Sequence, residues 1–157
     1  MFRTRVLALC LGLGFALASA SAGPTGKTFA EISASAKQTY DAARKELAAR
    51  GAGAKAAAGA GDVAKWSPLN EAYAKQLSEI IGICERNVVA LTHDATDLET
   101  EGTKQIAQSF MQYAEVAGSM QTVRLQMIAF GHLVEHIPTS DRATVLKALA
   151  PKYFDGE

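Results

Sequence analysis

The chain is 157 residues long, 48% of it in the hydrophobic class, with 16 Lys and Arg against 16 Asp and Glu. That length suits one modest domain, and the zero formal charge gives no electrostatic footprint for wrapping a phosphate backbone, so a nucleic-acid partner is not expected. Aromatics are only 7% and Ala dominates, which favours helices packed through small side chains over a sheet core.

Residues 1–22 read as a secretory signal. Arg3 and Arg5 precede an apolar run from Val6 to Ala18, and Ala20-Ser21-Ala22 has the small-x-small form that a signal peptidase cuts. The run is short and interrupted by Gly12 and Gly14, and Cys10 sits behind Leu9 rather than behind the small residue a lipoprotein signal wants. Cleavage after Ala22 would remove two Arg and no acid, leaving 14 basic and 16 acidic groups and a net charge of −2. A periplasmic or secreted location is expected, with no later segment apolar enough to span a bilayer. Cys84 would then be the one remaining cysteine, so no intrachain disulfide can form and packing must hold the fold.

In the mature chain, Thr28-Phe29-Ala30-Glu31 has capping-box form and opens a helix over about 29–50, closed by Gly51. Its apolar face is thin, with Phe29, Ile32, Tyr40 and Leu47 among alanines, which predicts a weakly docked element. Residues 51–65 are nearly all Gly and Ala and read as a flexible linker with some helical tendency. Ser67-Pro68 then signals a helix start, and Leu69, Tyr73, Leu77, Ile80, Cys84, Val88 and Leu91 predict a helix over about 68–92.

Thr96-Asp97-Leu98-Glu99 is a second capping-box pattern. From it, Ile106, Phe110, Tyr113, Ala117, Met120, Met127 and Val134 keep a seven-residue rhythm that predicts a helix over about 97–137, ended by Pro138. A short helix carrying Val145, Leu146 and Leu149 follows, stopped by Pro151. The expected fold class is all-α: an antiparallel hairpin with an Ala-rich N-terminal helix and a short C-terminal helix laid against it. Residues 23–65 form the N-terminal part of that plan and residues 66–157 its core.

The residues with chemical potential cluster at the end of the long helix. His132-Leu133-Val134-Glu135-His136 matches the His-x-x-Glu-His pattern of inverted-motif zinc peptidases. Those peptidases need a further acidic ligand from a larger fold, so an enzyme is not expected. Metal binding alone fits better. Imidazoles at i and i+4 rise from one side of a helix, and Glu135 stands one turn from His132 as a third donor, a set suited to Zn, Ni or Cu. With Val134 facing the core, both His lie about 160° from it, on the solvent side. There, protonated His would equally serve the helix dipole with no metal at all.

About 35 residues of continuous helix, or ~52 Å, would separate the hairpin loop that carries His93 from His132, so His93 cannot join them within one subunit. Asp62, Asp155, Glu157 or a second copy of the chain remain as sources of a further ligand. Cys84, Met120 and Met127 fall on apolar seams and read as core. No Cys-x-x-Cys-His, no Gly-rich phosphate loop and no fixed nucleophile with its base is present.

The export signal, the long hairpin, the His-bearing helix end and the Ile137-Pro138-Thr139-Ser140-Asp141-Arg142 turn before a helix with Leu146 resemble the periplasmic heavy-metal sensor and envelope-stress adaptor group. The resemblance spans residues 67–150. In that group a Leu-Thr-Pro-Glu-Gln-Arg-like turn follows a helix; here Pro and Thr are transposed, and Trp66-Ser67-Pro68-Leu69-Asn70 stands where the first copy would be. The resemblance implies metal sensing, stress signalling or holding of unfolded proteins, with His132 and His136 in the ligand role. Two functions are therefore expected to compete: a metal-sensing or metal-buffering binding protein, and a metal-free adaptor or chaperone-like protein whose partner is an envelope protein or a second copy.

Overall fold

A computed structural model describes residues 26–98 and 102–154. Among these the chain forms α1 (Phe29–Ala60), α2 (Val63–Val89), a π-helical turn (Ala90–Asp94), α3 (Thr103–His136) and α4 (Thr139–Phe154), with no strand. The all-α reading is correct. α2 packs between α1 and α3, and α4 closes the end where α1 finishes and α2 begins. No helix of the described residues is long and apolar enough to cross a membrane. The expected signal over residues 1–22, Glu99, and the candidate ligands Asp155 and Glu157 lie outside the described residues.

α1 opens on the capping box the sequence predicts: Glu31 N–H donates to Thr28 Oγ1 at 3.3 Å, and Thr28 N–H donates to Glu31 Oε2 at 2.8 Å. The helix does not stop at Gly51. It continues to Ala60 through the stretch expected to be a linker, because Ala54, Ala57 and Ala58 are buried against Trp66, Phe130, Val134 and Leu146. The missing bulk at these positions lets the neighbouring helices come close, and close backbone approach replaces side-chain area as the source of cohesion. Gly51 shows the same effect: a Cβ there would fall 3.1 Å from the Tyr73 ring. With Phe29, Ile32, Ala36, Ala43 and Leu47 also buried, α1 is an integral layer and not a weakly docked one.

The stop falls at Gly61, whose φ of 70° is the left-handed region that closes a helix. Its N–H and that of Asp62 reach back to the Ala58 and Ala57 carbonyls. Asp62 then caps α2, accepting from Lys65 N–H at 3.0 Å. This replaces the expected Ser67-Pro68 start and leaves Pro68 inside the helix, in its second turn, where the missing N–H costs one intrahelical bond.

The second capping-box pattern is corrected too. Thr96 and Asp97 do not start α3, which begins at Thr103. Asp97 Oδ1 instead accepts from Phe29 N–H at 2.6 Å, and Thr96 donates through N–H and Oγ1 to the Lys27 carbonyl at 3.0 and 3.1 Å. A polar signature that reads locally as a helix start thus serves the start of α1, 68 residues earlier.

α3 turns Tyr113, Met120, Met127, Phe130 and Val134 inward, while Phe110, expected on the seam, is exposed. α4 runs through Pro151 to Phe154 where a stop was expected. The gain that outweighs the lost bond is aromatic: Tyr153 stacks on Phe130 with ring centroids 4.3 Å apart, and Phe154 meets Tyr73 at 6.2 Å. Trp66, 1% exposed, packs edge-on to the same Phe130 ring at 5.0 Å. Burying a side chain of this size contributes about 3 kcal/mol.

Candidate functional site

The end of α3 carries His132, Glu135 and His136, and all three are exposed, as the helical angle from buried Val134 requires. His132 Nδ1 lies 3.7 Å from Glu135 Oε2, an i,i+3 pair whose side chains are 69% and 62% exposed. His136 is the last helical residue, one turn beyond. Ile137 then turns extended ahead of Pro138, which leaves the last carbonyls of α3 without intrahelical partners.

Arg142 satisfies one of these and also the carbonyl of the C-cap residue Ile137. Its Nη2 donates to the Glu135 carbonyl at 2.7 Å and its Nε to the Ile137 carbonyl at 2.9 Å. The guanidinium of α4 therefore already supplies the positive charge that suits a helix C-terminus, a role otherwise expected of protonated His132 and His136. The resemblance places Arg142 in its turn, yet the sequence alone does not show that the side chain folds back onto α3.

A cleft of about 240 Å³ opens beside His132. Asn70, Glu71 and Ala74 of α2 form one wall, and Ile128, Gly131, His132 and Glu135 of α3 the other. Asn70 is 4% exposed; its Nδ2 donates to the Met127 carbonyl at 3.0 Å, while its Oδ1 has no hydrogen-bond partner. Gly131 permits this approach, since a Cβ there would stand 3.3 Å from Asn70 Nδ2. Glu71 is exposed and brings a second carboxylate to the mouth of the cleft. Sequence reasoning missed Glu71, because only the α2–α3 register, pinned in part by Asn70, sets it opposite His132.

These groups stand near one another without forming a closed ligand set: among the described residues no three of His, Cys, Asp and Glu are placed to hold a metal. Being exposed, the side chains of Glu71, His132 and Glu135 are free to change rotamer, so closing round an ion is a matter of side-chain rotation at the cost of its entropy. Asp62 is occupied as the α2 cap, and His93 is exposed at the far end of the hairpin. Cys84 is fully buried on α2, and burial pushes its thiol above the ordinary value, which removes it from thiolate chemistry. Met120 and Met127 are core.

No protein-family model matches the chain, and no curated protein or solved structure matches it either.

Proposed function

We propose that this chain is an exported helical binding protein that takes a divalent cation such as Zn, Ni or Cu(II) weakly at the end of α3, sensing or buffering it. His132 supplies the nitrogen donor, Glu135 and Glu71 the carboxylates, and His136 a second imidazole one turn on. The observation that carries this reading is the cleft, which sets Glu71 of α2 beside His132 and Glu135 of α3. Nitrogen with carboxylate oxygen suits these ions. Nothing fixes the imidazole orientation from behind, so the affinity is micromolar at best.

Calorimetry tests it. Near pH 7.5 the protein should bind, and near pH 5.5, below the usual imidazole value of about 6.5, binding should fade as protons compete. His132→Ala should abolish the heat and Glu71→Gln reduce it. A parent that gives no heat, or equal heat after His132→Ala/His136→Ala, removes the metal reading. The second reading is a metal-free adaptor or chaperone-like protein, and one observation favours it: the outer side of α3 exposes Phe110, Met111, Leu125 and Leu133.

A further inference from the structure

α3 is 34 residues long, yet its charged residues are Lys104, Glu115, Arg124 and Glu135 alone. At 100° per residue, Met111, Ala114, Gly118, Thr122, Leu125 and Ala129 lie within about 40° of one line down the helix. All six are exposed, and Met111 and Leu125 are more than half so, at 52% and 56%. This line is opposite Tyr113, Met120 and Met127, which face the core. The solvent pole of a lone surface helix is where charged residues belong, and here that pole has none between Lys104 and the two His. A helix uncharged on its outer pole as well as its inner one is built to be covered on both sides.

We propose that this face joins two copies of the chain through an antiparallel contact between their α3 helices, centred between Gln121 and Thr122. The occupant follows from the order of side-chain sizes. Reversing the helix about that centre places Leu125 of each copy on Gly118 of the other, Ala114 against Ala129, and Met111 level with His132. A Cβ at Gly118 would meet nothing within 4 Å, so the helix backbone is bare and open to solvent there, and the two-fold lays a leucine on it twice. A parallel pairing would set Leu125 on Leu125 and leave Gly118 facing Gly118 across a gap. The antiparallel register also brings no like charges together, since Glu115 falls level with Ile128 and Arg124 with Ser119. The face is thus complementary to itself in one orientation. A single helix pair about 33 Å long buries less than a standard interface of about 1,600 Å², so the dimer is weak and reversible.

Sedimentation velocity in the presence of a chelator tests this apart from any metal. Across about 5 to 500 µM the protein should pass from monomer to dimer. Leu125→Glu, at an exposed position, should keep the helical circular dichroism and weaken association about a hundredfold, because two carboxylates would be buried at the contact. Under mild oxidation Gly118→Cys/Leu125→Cys should crosslink between chains and Gly118→Cys alone should not; within one chain the two sites are two turns apart, beyond disulfide reach. A monomer at every concentration overturns the proposal, including one that instead binds phosphatidylglycerol vesicles. So does a dimer that Leu125→Glu leaves unchanged, or crosslinking of Gly118→Cys alone as efficient as that of the double variant.

Discussion

Asn70 Nδ2 donates to the backbone carbonyl of Met127 across the α2–α3 seam at 3.0 Å, and 17 residues further along α2 the Asn87 amide donates to the Ala36 carbonyl of α1 at 3.3 Å. The central helix thus holds each flanking helix by a buried side-chain amide. Directional bonds of this kind fix register where Ala-rich faces would tolerate sliding. They also carry a cost, for Asn70 Oδ1 and the Trp66 indole N–H, one turn apart on α2, are both buried without partners.

That cost gives the first prediction. Met127 O sits within α3, so deleting the amide does not orphan it, whereas Asn70 Oδ1 is already unpaired. Asn70→Leu should therefore be close to neutral in urea unfolding, within about 1 kcal/mol of the parent, while Asn70→Asp, which buries a carboxylate and removes the donor, should cost about 3 kcal/mol or more. Equal losses in the two variants would show that the amide bond itself, and not its burial balance, holds the seam.

Two glycines of the Gly/Ala stretch should respond in opposite directions. Gly61 has φ 70°, and a Cβ would sit 2.5 Å from Lys147 Cε and 3.1 Å from the Ala143 carbonyl. Gly61→Ala should destabilise by about 1 to 2 kcal/mol. Gly59 is helical with open space around it, so Gly59→Ala should stabilise by up to about 1 kcal/mol. Thermal unfolding of both variants reads the signs.

Residues 51–60 also show what a sequence pattern withholds. Periodicity revealed α2 and α3 because Leu77, Ile80, Met127 and Val134 are large and regularly spaced. Ala54, Ala57 and Ala58 carry the same three-four spacing, but in a run of small residues the periodicity has no contrast, and their value appears only when Trp66 and Leu146 close on them. Pro151 and the Thr96-Asp97 pair misled for a related reason: Tyr153 on Phe130, and Asp97 on Phe29 N–H, are long-range gains that outweigh a local rule. At the candidate site the exposure of His132 and His136 was legible from helix geometry, whereas Glu71 and Arg142 needed the tertiary register.

Hydrogen exchange should find α1 protected to its end. If residues 51–60 were a linker their amides would exchange at once. Packed as they are, Ala54, Ala57 and Ala58 should exchange on the same slow timescale as Leu77 and Ile80. Fast exchange at these alanines beside slow exchange at Leu77 would contradict the packing.

Acid should loosen the start of α1. The backbone N–H of Thr28, and after it the Thr28 hydroxyl, holds the Glu31 carboxyl below its ordinary value of 4.5. A carboxylate with a lowered folded-state pKa adds stability that is fully present above its unfolded value and is lost as pH falls through the folded one. Stability from this box should therefore be constant above about pH 5 and decline below about pH 4.5. Glu31→Gln should flatten that part of the pH profile. An unchanged acid limb would assign it to other carboxylates.

Cys84 offers a label for global opening. Its side chain lies in the core with Leu77, Ile80 and Met127, and burial first, then the Glu85 carboxylate, raises its thiol pKa. Both causes act against the thiolate, which is the reactive form, and burial also blocks the reagent. In the folded protein a disulfide reagent at neutral pH should modify Cys84 only through unfolding of the α2 seam, at a rate that rises with urea in step with the loss of helical signal. Because Asn70→Asp weakens that same seam, it should speed labelling, while Gly59→Ala should slow it. Rapid labelling of the native protein, independent of both variants, would mean that the thiol is reached by a local motion and that the α2 seam opens without unfolding the rest.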